Sequence, residues 1–231
     1  MNIEIINKLT RNQDVAENLK FLSESTSGRI VFSTSFGIED QLITDAIFTQ
    51  NLGNIEVFTL DTGRLFQETY ATWYKTQLYY NQKIKTFYPD NESLETFINE
   101  RGINPFYESQ ELRKKCCHIR KVEPLQRALI GASVWITGVR AEHSPNRNSL
   151  EIVQWDEQNK LYKYNPLLHW TTEEVKTYVT RKGIPYNVLH DKGFISIGCA
   201  PCTRAINEGE DFRAGRWWWE DASKKECGLH S

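Results

Sequence analysis

The chain has 231 residues, 39% hydrophobic and 25% charged, and its 28 basic and 30 acidic side chains leave a formal charge of -2. That composition excludes a disordered chain, and at about 150 residues per domain the length suits one large domain or one domain with a tail. The near-neutral balance gives no global reason to bind nucleic acid, and no apolar run approaches the roughly 20 residues that cross a bilayer. The first twenty residues lack the charged-then-apolar layout of a secretory signal, so a cytoplasmic protein is expected.

Along the chain, Ile5, Leu9, Val15, Leu19 and Leu22 recur at loosely helical spacing and predict a polar helical stretch up to about residue 27. The apolar run 29–35 predicts a buried strand entering a loop, and Gly37 separates it from a helix over about 39–50. A second strand, 55–60, ends at Asp61-Thr62-Gly63; a helix over about 65–80 and a third strand, 83–88, follow. Residues 133–137 read as a fourth strand ending at Gly138, and 149–164 as a hairpin turning near Glu157 to Asn159. Thr171-Thr172-Glu173-Glu174 caps a helix that stops near Gly183. Strands alternating with helices predict an α/β fold, a mostly parallel sheet with helices on both faces. From Gly193 the chain is rich in Gly, Cys, Arg and Trp without periodicity. A functional tail is therefore expected there, with residues 1–210 as the main domain and 211–231 as the mobile C-terminal tail.

In open parallel sheets, ligands sit beyond the carboxyl ends of the strands. Three strands here end in polar, glycine-containing loops: Ser33 to Gly37, Asp61 to Arg64, and Gly138 to Arg147. Hydroxyls and free amides at a helix start suit a phosphate, since the first helical N–H groups lack internal partners and carry partial positive charge. Glu39 and Asp40 beside that loop would repel a second phosphate, or else serve as favourable acids in a first helical turn. Arg64, Arg140 and Arg147 add cations to the same strand ends.

The five cysteines are the most specific feature. Cys116-Cys117 and Cys199-Ala-Pro-Cys202 make two pairs, and Cys227 stands apart. An odd count without a secretion signal argues against a disulfide framework. Four thiolates suit tetrahedral zinc or an iron–sulfur cube, and adjacent cysteines disfavour zinc, whose paired ligands prefer spacers. Lys114, Lys115 and Lys121 surround the first pair with positive charge. Cys227, flanked by Lys224, Lys225 and His230, has surroundings that pull a thiol pKa down from about 8.5. Trp217-Trp218-Trp219 could anchor the segment.

Taken together these motifs resemble the assimilatory adenylyl-sulfate (APS) reductases of bacteria, cluster-bearing relatives of the phosphoadenylyl-sulfate (PAPS) reductases. The resemblance runs over about residues 25–231. It rests on Ser33-Thr-Ser-Phe-Gly37 with Glu39-Asp40, Asp61-Thr-Gly63, Lys-Lys-Cys116-Cys117 with Lys121, Gly-Cys199-Ala-Pro-Cys202-Thr-Arg204, Gly215-Arg216-Trp-Trp-Trp219 and Lys225-Glu-Cys227-Gly-Leu-His230. It implies a Rossmann-like sheet of the adenine nucleotide alpha-hydrolase type and a [4Fe-4S] cluster on Cys116, Cys117, Cys199 and Cys202. It further implies adenosine 5'-phosphosulfate as substrate, thioredoxin as reductant, and Cys227 as a nucleophile that becomes a thiosulfonate. Lys121, Arg213, Arg216 and His230 would face the sulfate. Ser33, Ser35, Phe36, Gly37, Asp61, Gly63 and Arg140 would hold the nucleotide. PAPS, or both nucleotides, is the alternative substrate, and homo-oligomerisation is left open. Two other functions compete. An ATP pyrophosphatase of the same fold would want a Ser-Gly-Gly loop, where Phe36 stands instead; a redox-sensing cluster protein would need no nucleophile beside basic residues.

Overall fold

A computed structural model describes residues 3–11, 14–143 and 149–221. Two helices, α1 (Ile3–Arg11) and α2 (Val15–Ser25), take the place of the single helical stretch expected. Asp14 is the reason: its carboxylate accepts from the Glu17 amide and caps a new helix. Next come β1 (Arg29–Thr34), α3 (Ile38–Thr49), β2 (Ile55–Leu60), α4 (Gln67–Tyr80) and β3 (Lys85–Phe87), close to their expected bounds. The stretch before β4 (Ala132–Ile136) holds α5 (Asn91–Arg101), α6 (Gln110–Cys117) and α7 (Glu123–Leu129), none of them expected. Asp90 and Ser109 cap the first two by accepting from the Ser93 and Leu112 amides. Between α6 and α7 the helix widens into a π-helical turn, His118–Val122. The hairpin β5 (Val153–Asp156) and β6 (Leu161–Tyr164) precedes α8 (Thr172–Lys182), which opens on a Thr171/Glu174 capping box and stops at the left-handed Gly183.

The sheet order is β3-β2-β1-β4-β6-β5. β1 runs parallel to β2 and β4, β4 runs parallel to β6, and β5 pairs antiparallel to β6 at the edge. The expected hairpin is thus part of the main sheet. On one face, Ile30 and Phe32 of β1, Val134 and Ile136 of β4 and Tyr164 of β6 pack with Leu19, Leu22, Leu42, Ile43, Val175 and Val179 from α2, α3 and α8. Among the described residues no helix is long and apolar enough to cross a membrane.

Two compact units divide the chain. The first comprises Met1–Thr59, Glu68–Lys85 and Gly131–Val188, and holds the sheet apart from the strand-end residues Leu60, Thr86 and Phe87. The second comprises Leu60–Gln67, Thr86–Ile130 and Leu189–Ser231.

Candidate active site

In the first unit, the loop after β1 is shaped from within. Phe36 adopts a left-handed φ of 60°, its amide donates to Thr34 Oγ1 at 3.1 Å, and its buried ring stacks on Trp73 with centroids 5.6 Å apart. Phe36 therefore serves the loop through its backbone. Asp40 accepts from the Ser35 amide at 2.6 Å and the Ser35 hydroxyl at 2.7 Å. Ser33 accepts from Trp135 Nε1 at 2.8 Å. Gly37 caps α3 in extended geometry with no side-chain hydrogen bond, and the partial positive charge of the helix start faces this loop.

Glu39 and Asp40 are not a repulsive pair facing a ligand, because both are buried and spent on the loop itself. Glu39 accepts from Arg140 Nε at 3.0 Å. Burial pushes the Asp40 carboxyl up to about 7, against the two Ser35 hydrogen bonds that favour its charge. Gly138, after β4, abuts the Asp40 carboxylate so closely that a Cβ would overlap it. Arg140 is 1% exposed and donates to Glu39, Glu142, the Trp170 carbonyl and Thr172 Oγ1. Its guanidinium braces α3 and the start of α8 against the β4 loop, a different placement from the nucleotide contact the sequence suggested.

The second unit gathers the four paired cysteines. Cys116 and Cys117 end α6, while Cys199 caps and Cys202 ends a 3-10 turn, Ala200–Cys202. All four line one open cavity, together with Arg64, Phe106, Arg113, Arg120, Lys121 and Pro201. None of the four forms a disulfide. The loop Asp61 to Arg64 is fixed beside them. Asp61 accepts from the Gly63 amide at 2.8 Å, Gly63 needs its φ of 68°, Thr62 Oγ1 lies 3.3 Å from Cys199 Sγ, and the Arg64 carbonyl accepts from Ala200 N at 2.7 Å.

Of the expected lysines only Lys121 lines the cavity with the thiols, and guanidinium groups supply the rest of the positive charge. Lys114 and Lys115 are exposed, the latter over the Phe97 ring. Arg113 and Arg120 are buried instead; Arg120 donates to the Thr62 carbonyl at 2.6 Å, and Arg113 lines the cavity with Cys117. Burial raises the Cys116 thiol, opposed by Arg120 and Arg64. Burial and the neighbouring Cys199, Cys117 and Cys116 push Cys202 up to about 12, opposed by Arg216. Four bare thiolates would repel one another here, so the site favours a ligand that takes up their negative charge. Among the described residues no three His, Cys, Asp or Glu side chains gather tightly enough for one metal ion. Four thiols spread around a cavity fit a multi-iron centre, whose corners take one thiolate each, better than a lone zinc.

The segment through Asp221 docks on the same unit. Arg204 N donates to the Gly215 carbonyl at 2.9 Å and Trp217 N to the Cys202 carbonyl at 3.2 Å. Trp217 is buried, with the guanidinium carbons of Arg113, Arg216 and Arg213 at 4.4, 4.6 and 5.7 Å from its ring. Arg216 is 8% exposed and its Nε has no hydrogen-bond partner, which leaves a donor for an anion. Trp219 packs on Phe106 and Tyr107, while Trp218 is 40% exposed.

The expected site residues thus fall into two groups. Ser33, Ser35, Phe36, Gly37 and Arg140 belong to the first unit; Asp61, Gly63, Cys116, Cys117, Lys121, Cys199, Cys202, Arg213 and Arg216 belong to the second. Cys227 and His230, and the loop residues 144–148, lie outside the described residues. Sequence reasoning missed Arg113 and Arg120. Their spacing of three or four from Cys116 and Cys117 is the signal, since it puts them on one helical face with the thiols.

Residues 29–205 match the phosphoadenosine phosphosulfate reductase domain. A protein named adenosine 5'-phosphosulfate reductase from Sinorhizobium fredii (strain USDA 257) is 49% identical over 225 residues, 97% of this chain and 89% of its own. One of the same name from Allochromatium vinosum is 48% identical over 201 residues, 87% of this chain and 78% of its own. Among solved structures, phosphoadenylyl-sulfate (PAPS) reductase from Candida auris, in a phosphate complex, superposes with a TM-score of 0.72 at 27% identity. The match covers 89% of this chain and 98% of that one. The NH3-dependent NAD synthetase from Campylobacter jejuni shares the fold alone, with a TM-score of 0.52 at 13% identity over 80% of this chain and 75% of its own. The expected Rossmann-like, adenine nucleotide alpha-hydrolase-type sheet is therefore the one observed, and the chain belongs to the phosphoadenosine phosphosulfate reductase family.

Proposed function

We propose that this chain reduces adenosine 5'-phosphosulfate to sulfite and AMP in the cytoplasm, with thioredoxin as reductant and Cys227 as nucleophile. The observation that carries this is the likeness to proteins named adenosine 5'-phosphosulfate reductase, 46–50% identical over 86–97% of the chain. The Cys227 thiolate attacks the sulfate sulfur, the bond from sulfur to the phosphate-bridging oxygen breaks, and AMP departs with the electron pair. Cys227 is left as a thiosulfonate. A thioredoxin thiolate then attacks the Cys227 sulfur and sulfite leaves with the electron pair of the S–S bond. The second thioredoxin thiol resolves the mixed disulfide, so the dithiol supplies both electrons and Cys227 returns as a thiolate.

An anionic nucleophile meeting an anionic sulfate needs fixed positive charge, which is the role given to Lys121, Arg213, Arg216 and His230. The partnerless Nε of Arg216 supports its share of that role. The Ser33 to Gly37 loop, Asp61 and Gly63 would hold the nucleotide; Arg140 would keep the first loop in shape. Cys116, Cys117, Cys199 and Cys202 would hold a [4Fe-4S] cluster. When bound, that group would take up part of the charge of the four thiolates and tie down the Cys116-to-Lys121 segment, and it would not be the electron source.

The test is anaerobic turnover with thioredoxin, using APS and PAPS side by side. Sulfite released in step with APS consumed, and slowly with PAPS, is the expected result. The Candida auris likeness keeps PAPS as the second reading, which equal or faster PAPS turnover would establish. Sulfite from neither nucleotide would overturn both.

A further inference from the structure

One buried ion pair in the second unit is left unused by the chemistry above. Arg113, on α6, is fully buried, and it meets Glu220 in a two-pronged contact: Nε to Oε1 at 2.9 Å and Nη2 to Oε2 at 2.8 Å. The Glu220 side chain is only 8% exposed. The same guanidinium lies over the Trp217 ring at 4.4 Å, at the cavity that Cys117 also lines. Glu220 closes a turn on that tryptophan, its amide donating to the Trp217 carbonyl at 2.8 Å. Arg216 occupies the ring as well, at 4.6 Å, and its amide donates to the Arg213 carbonyl at 2.9 Å.

A bidentate arginine–carboxylate pair fixes direction as well as distance, and removing one partner from a buried pair leaves the other charge uncompensated. We infer that Arg113 and Glu220 are a positioning pair: Glu220, acting through Arg113 and Trp217, fixes where Arg213 and Arg216 present their guanidinium groups to the sulfate. This rests on the assignment of those two arginines to the sulfate in the proposed function. Neither Arg113 nor Glu220 needs to touch the substrate; their task is to hold Trp217, against which the sulfate-binding arginines stack.

The test uses the full chain purified anaerobically, in a Cys227→Ser background that cannot react, with APS and AMP affinities measured by calorimetry. Glu220→Gln keeps the shape and removes the charge. It should weaken APS about tenfold and change AMP by less than about twofold. Glu220→Asp, which keeps the charge, should recover part of the loss. Iron content and thermal midpoint are followed alongside. Unchanged APS affinity, an equal loss for APS and AMP, or iron lost in parallel with APS affinity would overturn the inference, the last by reducing the pair to a purely structural one. Amide hydrogen exchange of residues 213–217 adds a substrate-free measurement: faster exchange is expected in Glu220→Gln, and unchanged exchange would overturn the pair's role. Should the Cys227→Ser chain itself bind AMP but no APS, the proposed function fails, while the exchange result still decides whether the pair holds the segment.

Discussion

Gly198 lies against the Arg216 guanidinium so closely that an added Cβ would overlap it. The obstacle is the far end of a side chain, so Gly198→Ala should fold, but with Arg216 displaced from the Trp217 ring. APS affinity should fall about tenfold, AMP affinity should hold, and the thermal midpoint should move little. Parallel titrations of the two nucleotides check this, and unchanged APS affinity would remove Arg216 from the sulfate site. Asp40 makes a different prediction, through pH. Its carboxyl is raised by burial from 3.8 to about 7, so the folded chain binds this proton more tightly than the unfolded chain. The resulting stability is fully present below about pH 4 and is lost as pH rises through 7. Between pH 5 and 8 the loss from this one group is at most roughly 2 to 3 kcal/mol. Asp40→Asn should remove that part of the decline, seen as urea midpoints at the two pH values. An equally steep decline in the variant would locate the effect elsewhere.

At the scale of elements, the cysteine-bearing region has far less apolar core than the sheet, so under the proposed function a bound cluster would carry more of its stability. The sheet rests on a broad apolar core, whereas the nucleus around the cysteines consists of Phe106, Cys202 and Trp217, with Cys116, Cys117, Cys199 and Trp219 packed against it. Removing iron should therefore speed amide exchange in α6, the π-helical turn and residues 199–219, while β1, α3 and β4 stay protected. Equal protection with and without iron would argue that the four thiols hold no structural group. The same contrast in cores explains what could be read from sequence. β1, β2 and β4 were legible because buried strands write continuous apolar runs bounded by glycine and polar residues. α5 and α6 were not, because α5 buries only Phe97 and α6 only Arg113, leaving no apolar stripe to see. The insertion of β6 beside β4 was equally hidden, since a hairpin shows its own turn but not its neighbour across the sheet. The cysteine quartet was legible from spacing, yet the arginines around it were not, because an arginine on a helix reads as a solvated residue until burial is known.

For the whole molecule, the decisive division is chemical. Four of five cysteines line one cavity ringed by Arg64, Arg113, Arg120 and Lys121, and the fifth, Cys227, is remote from them in sequence. If the quartet holds iron, Cys227 is the thiol left to accept the sulfonyl group. The formal charge of -2 makes this positive site a local construction, assembled by the fold rather than announced by composition. The most direct measurement omits the reductant. Iron-loaded chain is mixed anaerobically with APS, and its proteolytic peptides are weighed by mass spectrometry. One sulfonate group per chain on the peptide containing Cys227, with one AMP released and the iron retained, is the predicted result; a sulfonate on any of Cys116, Cys117, Cys199 or Cys202, or AMP released with Cys227 unmodified, would contradict it.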